Sequence, residues 1–169
     1  AFGKPRILVV PNGFHRQDAP IYKKRYPDLK VVCPAGARKR VEKVIATDSA
    51  LEEAGGDDTV SLLNIDGMKN SEGVLSIRSG DKVSLAFADF LLNMPESAGL
   101  IGFFLSPTGR PSVPRVVRWL GIKNKKAVAS HLERLAETPG LTRVLVGHGQ
   151  TISTAPAEAL KSAAKELLG

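Results

Sequence analysis

Val144-Leu145-Val146-Gly147-His148-Gly149-Gln150-Thr151-Ile152 is the stretch on which the fold turns. Residues 142–146, Thr142-Arg143-Val144-Leu145-Val146, are rich in β-branched residues, which predicts a strand. A histidine between two glycines follows at once. Flanking glycines leave the imidazole uncrowded and let the backbone turn sharply. In α/β sheets, ligand and metal sites gather at such C-terminal strand ends.

Two other places repeat the pattern. Ala86-Phe87-Ala88-Asp89 closes a strand predicted over residues 82–88, and Pro11-Asn12-Gly13-Phe14-His15-Arg16-Gln17-Asp18 follows the strand Ile7-Leu8-Val9-Val10. A single polar residue at a strand end is ordinary. Asp89, for instance, has the alternative role of capping the turn Phe90-Leu91-Leu92.

Outward from these sites the chain alternates. A helix is predicted over 18–26, ended by Pro27, then a strand over 30–33 and a helix over 35–45. Strand, helix, strand, helix argues for an α/β layer arrangement. Three strands follow over 59–65, 73–78 and 82–88, separated by Asn70-Ser71-Glu72 and the hairpin turn Ser79-Gly80-Asp81. Residues 93–114 form a long Gly-, Pro- and Ser-rich connection, a length that usually signals function or mobility. A short helix over 115–120 and an amphipathic helix over 125–137 precede the last strand. Ser153-Thr154 caps the final helix, with Pro156 in its first turn. Residues 1–169 read as one domain.

Composition narrows the classes. At 169 residues, 43% hydrophobic and 24% charged, the chain is neither disordered nor too small for a core. No apolar run approaches the ~18 residues that span a bilayer. No signal peptide or initiator Met is read at Ala1, so the chain is expected to be processed or a fragment, and the lone cysteine fits the expectation of a cytoplasmic protein. A lone Cys33, expected buried and inert, excludes a disulfide framework and a Cys-rich zinc knuckle. The net charge of +7 is spread over Lys23-Lys24-Arg25, Arg38-Lys39-Arg40 and Lys123-Asn124-Lys125-Lys126, with little aromatic interleaving. That dispersion argues against a nucleic-acid partner. His131 and Trp119 are expected in packing roles.

The motif Val144 to Ile152, the strand-end Asp89 in Leu85-Ala86-Phe87-Ala88-Asp89-Phe90-Leu91-Leu92 and the loop Asn12 to Asp18 together resemble the metallo-β-lactamase-fold superfamily, in order and approximate spacing over essentially the whole chain. Pro11-Asn12-Gly13-Phe14-His15, Tyr26-Pro27-Asp28 and Ala88-Asp89-Phe90-Leu91-Leu92-Asn93-Met94 are similar to a poorly characterised bacterial branch of it. The resemblance implies an α/β/β/α sandwich. It also implies that several strands normally precede the first loop. Here Ile7 starts almost at once, so the expectation is a truncated sheet whose exposed edge favours a homo-oligomer or a partner strand.

The metal motif departs from the superfamily. Aligned on the strand end, Asn12, Phe14, Arg16 and Gln17 occupy the loop's ligand positions, and none is a good transition-metal ligand. Slid by one residue, the alignment brings His15 and Asp18 into register. Where a further histidine is usual stands Asn70-Ser71-Glu72, in which Glu72 offers an oxygen. The resemblance therefore leaves Asp89, His148 and His15 as ligands for one zinc or other divalent transition metal, too few for two ions. Two readings stay open: a mononuclear metal-dependent hydrolase of unknown small-molecule substrate, and a non-catalytic, metal-poor binding module on the same fold.

Overall fold

A β-α-β crossover opens the chain. A computed structural model describes residues 3–54, 56–69, 71–96 and 107–169. Strand β1 (Ile7–Val9) pairs in parallel with β2 (Lys30–Cys33), and β2 in parallel with β3 (Ser49–Ala50), giving the order β1-β2-β3. Between β1 and β2 runs helix α1 (Ala19–Arg25). Its proline lies in the first turn and Lys23, Lys24 and Arg25 in the last, where they complement the helix dipole.

The helix predicted over 35–45 is shorter in the structure. A 3₁₀ turn (Ala35–Ala37) leads into α2 (Arg38–Val41), where regular helix stops. Glu42 accepts from Arg38 Nε at 2.8 Å and from Thr47 Oγ1 at 2.7 Å, drawing the chain back towards the sheet. There Asp48 clamps β2, its backbone N–H reaching Val31 O and its carboxylate accepting from Val31 N. Strand β3 and helix α3 (Leu51–Ala54) were not expected, because elements of two and four residues carry no readable period.

The second sheet has the order β4-β5-β6-β7. Strands β4 (Val60–Asn64), β5 (Gly73–Ser79) and β6 (Lys82–Ala86) are antiparallel neighbours, and β7 (Leu141–Leu145) lies parallel to β6. Helix α4 (Lys125–Ala136) makes the β6-to-β7 crossover, capped by Asn124 Oδ1 on Ala127 N–H. Helix α5 (Pro156–Leu168) packs against α4. Val83 and Leu85 of β6, Val144 of β7, Val128 and Leu132 of α4 and Leu160 of α5 are fully buried in one cluster. Each contributes about 1.5–3 kcal/mol of burial. A smaller core joins Val31 and Cys33 of β2 to Ala19, Ala37 and Val41. Helices thus cover one sheet with α1 and α2 and the other with α4 and α5, the layered α/β/β/α arrangement.

Two local expectations are corrected. Neither Ser153 nor Thr154 caps α5: the N-cap is Ala155, in the left-handed region at φ +48°, with no side-chain cap bond. The helix expected over 115–120 is present: Arg115 and Val116 are α-helical and lead into a π-helical turn, Val117–Gly121, held by Arg118 bonding Val113 O and pairing with Glu166 of α5. Trp119 in this turn is 73% exposed rather than packed. His131 and Cys33 are buried as expected. Of the long connection, residues 97–106 lie outside the described residues; its ends are pinned by the Leu92↔Ser112 bridge. Among the described residues, no helix is long and apolar enough to cross a membrane.

Candidate metal centre

The register of β6 and β7 accounts for two of the three candidate ligands. Ala86 faces Leu145 across the parallel ladder, and Asp89 and His148 each lie three residues further on. Pairing continues past the strands: Phe87 N–H donates to Leu145 O, Gly147 N–H to Ala88 O, and Asn93 N–H to His148 O. The glycines beside His148 are required by this closeness. A Cβ on Gly147 would lie 2.6 Å from Ala88 O, and one on Gly149, whose φ is +101°, 2.1 Å from Asn93 O. The loop is closed by a pair of backbone hydrogen bonds between Val144 and Ile152, N–H to O in both directions. Room for a sharp turn was foreseeable from the sequence. Contact with both flanks of Asp89 was not.

His15 arrives from the other sheet. Asn12, two residues beyond Val10, accepts from Phe14 N–H at 2.8 Å and His15 N–H at 3.0 Å through Oδ1, an Asx turn that shapes the loop. Its Nδ2 donates to Asp89 Oδ2 at 3.0 Å and, more weakly, to Glu72 Oε2 at 3.4 Å. The amide orientation follows from its partners: two carboxylates on one side, two N–H groups on the other. Arg16 closes the loop by donating to Gly13 O.

The three candidates converge on one point. Asp89 Oδ1 lies 2.8 Å from His15 Nε2 and 3.2 Å from His148 Nε2, and the three ligand atoms all lie within 4.8 Å of one another. Asp89 does not cap the turn that follows it; Asn12 and the two histidines take its carboxylate. Asp18 is apart from the group, at the start of α1.

Glu72 is not a loose turn residue. It is 4% exposed, and its Oε1 accepts from Phe90 N–H at 2.6 Å. Burial pushes its carboxyl up to about 7; the nearby Asp89 charge adds to the rise, and the Phe90 and Asn12 hydrogen bonds oppose it. Asn12 and Glu72 are thus positioning residues behind the ligands. The one sequence signal for Asn12 was an Asx-forming residue directly after Pro11. Glu72 gave none.

Imidazole nitrogens and a carboxylate oxygen are a donor set for a divalent transition metal. Ligand atoms of a tetrahedral zinc sit about 3.4 Å apart at ordinary bond lengths, so the observed 2.8 and 3.2 Å separations need only small adjustment. The residues present fit one ion.

Three solved structures share this arrangement of strands and helices. The crystal structure of DIM-1 metallo-β-lactamase superposes with a TM-score of 0.54 at 15% identity, over 94% of this chain and 68% of that one. DIM-1 exposed to ceftazidime gives 0.55 at 16%, over 94% and 66%. TMB-1, a structure concerned with substrate and inhibitor binding, gives 0.51 at 14%, over 95% and 68%. The chain has the metallo-β-lactamase fold. No protein-family model and no curated protein sequence matches it. At such identities the metallo-β-lactamase likeness is one of fold, and the site has to be argued from its own residues.

Those residues open onto a cleft of about 500 Å³. Asn12, Glu72, Asp89 and His148 line its polar end, and Phe14, Met68, Leu92, Val117 and Leu120 are among its apolar walls. The apolar walls were invisible in the sequence, because they come from four separate segments.

Proposed function

We propose that the chain is a metal-dependent hydrolase working with one divalent ion held by His15, Asp89 and His148. The observation that carries this is the convergence of two imidazole Nε2 atoms on a single carboxylate oxygen at the head of a cleft. The shared fold with proteins named metallo-β-lactamases supports it. When bound, such an ion lowers the pKa of its water towards ~7 and polarises a carbonyl or phosphoryl oxygen. The chain's own residues do the rest. Asn12 holds Asp89 Oδ2 and so presents Oδ1 to the histidines.

The test is metal content. Protein purified without chelator should carry about one zinc, manganese or iron per chain, and Asp89→Ala and His148→Ala should each lose it. A wild type that stays metal-free after soaking with zinc sinks the hydrolase reading and leaves a binding module on a borrowed fold.

A further inference from the structure

The cleft has one cation in its wall, Arg40. Its aliphatic stem lies on Gly13, where a Cβ would come within 2.9 Å of Arg40 Cδ. Its guanidinium carbon sits 4.4 Å from the centroid of the Phe14 ring. Both contacts hold the head group over the loop that carries His15. Its neighbour Arg38 is paired with Glu42, but among the described residues no carboxylate is paired with Arg40. A guanidinium stacked on a ring keeps its N–H donors free in its own plane, arranged to grip an oxyanion.

Away from the polar end formed by Asn12, Glu72, Asp89 and His148, the rest of the wall is apolar, and so is the ground around it. Phe14 is 64% exposed and Leu120 68%, both lining the cleft, with Trp119 exposed beside Leu120. Large exposed apolar groups gathered at one cleft mark a ligand surface. The cavity volume is that of a drug-sized molecule. A neutral ligand would leave Arg40 unused, and a cationic one would be repelled by it.

We propose that the cleft binds an amphipathic anion, its apolar body against Met68, Leu92, Val117 and Leu120 and its carboxylate or phosphate on Arg40. This rests on the hydrolase reading only in taking the cleft as the substrate site, and it names the substrate class.

The experiment is calorimetric titration of chelator-treated protein with decanoate, decyl phosphate and decyltrimethylammonium. Saturable binding of at least one anionic amphiphile is expected, with the cationic one at least tenfold weaker. Arg40→Gln should weaken the anion about tenfold, and Arg40→Lys by less than that, since the ammonium keeps the charge but loses the planar fork and its seat on Phe14. The exposed Arg40 makes both variants readily folded, which a melting curve confirms. Equal binding of the cation, an unchanged anion affinity in Arg40→Gln, or no saturable binding by either anion would overturn the proposal. No metal is needed in the titration. Binding that fails in a protein shown to hold one metal therefore overturns the substrate class alone. Binding that persists in a protein unable to take up metal overturns the hydrolase reading alone.

Discussion

Asp89 and His148 are delivered by adjacent parallel strands, whereas His15 reaches them on a loop from the opposite sheet. The first pair inherits its spacing from the ladder: Ala86 pairs with Leu145, and hydrogen bonds on to Gly147 and His148 keep the two chain segments in step. Nothing so regular fixes His15. Its place depends on one amide, Asn12, which binds the loop backbone with its oxygen and Asp89 with its nitrogen. The difference teaches that a cluster of three converging side chains can be built two-thirds from register and one-third from a polar hinge. The two parts should therefore break differently.

The strand-borne half should be the costlier to disturb. Gly149→Ala puts a Cβ 2.1 Å from Asn93 O at a φ of +101°. The Asn93 carbonyl must then move, taking with it the bond it accepts from Gln150 N–H. Strain and the lost bond together should cost roughly 4 kcal/mol, or roughly 10 °C in melting temperature for a domain of this size. Gly80→Ala is the control: φ is also positive, but nothing lies within 4 Å, so about 1 kcal/mol is expected. Equal melting shifts for the two variants would show that close approach to Asn93 is not what Gly149 provides.

The buried base of the hinge predicts a pH dependence. The Glu72 carboxyl is raised from 4.5 to about 7 in the folded chain. Between those values the folded state binds more protons than the unfolded one, so stability falls as pH rises. The contribution is fully present below pH 4.5 and lost by about pH 7. From the size of the shift it amounts to about 3 kcal/mol. In chelator-treated protein, denaturant titrations from pH 4.5 to 7.5 should show this decline in the wild type relative to Glu72→Gln, whose amide does not titrate. Parallel curves for the two proteins would mean that Glu72 ionises as an ordinary carboxylate.

How much of this was legible follows from the same contrast. Both ladder-borne residues could be read because each ends a strand with strong apolar periodicity, and Gly-His-Gly is a distinctive ending. His15 could be read only as a residue near such an end, since the path of its loop depends on Asn12 finding partners 60 and 77 residues away. Glu72 reads as a turn residue because turn chemistry is local, while the Phe90 N–H it accepts from and the Asp89 charge beside it come from a distant segment. Trp119 was misjudged for a related reason. Burial propensity favours packing for a tryptophan, yet the π-type turn points it outward. Strand β3 and helix α3 are too short to show any period.

The loop-borne half should show the smallest stability effect and, on the hydrolase reading, a clear functional one. His15 is 43% exposed at its side chain, and its bond to Asp89 shares that oxygen with His148. Removing the imidazole opens no core cavity and leaves the Asx turn intact, because Asn12 bonds the His15 backbone rather than its ring. His15→Ala should therefore change stability by less than about 0.5 kcal/mol, as surface substitutions do. Its zinc affinity should still fall by at least about 100-fold, since one of three protein ligands is gone. Competition with a chromogenic chelator measures the second quantity on protein shown to be folded. Unchanged stability with unchanged affinity would remove His15 from the ligand set, leaving Asp89 and His148 two short of a tetrahedral shell. Lost stability with unchanged affinity would make its hydrogen bond with Asp89 a structural tie between the two sheets.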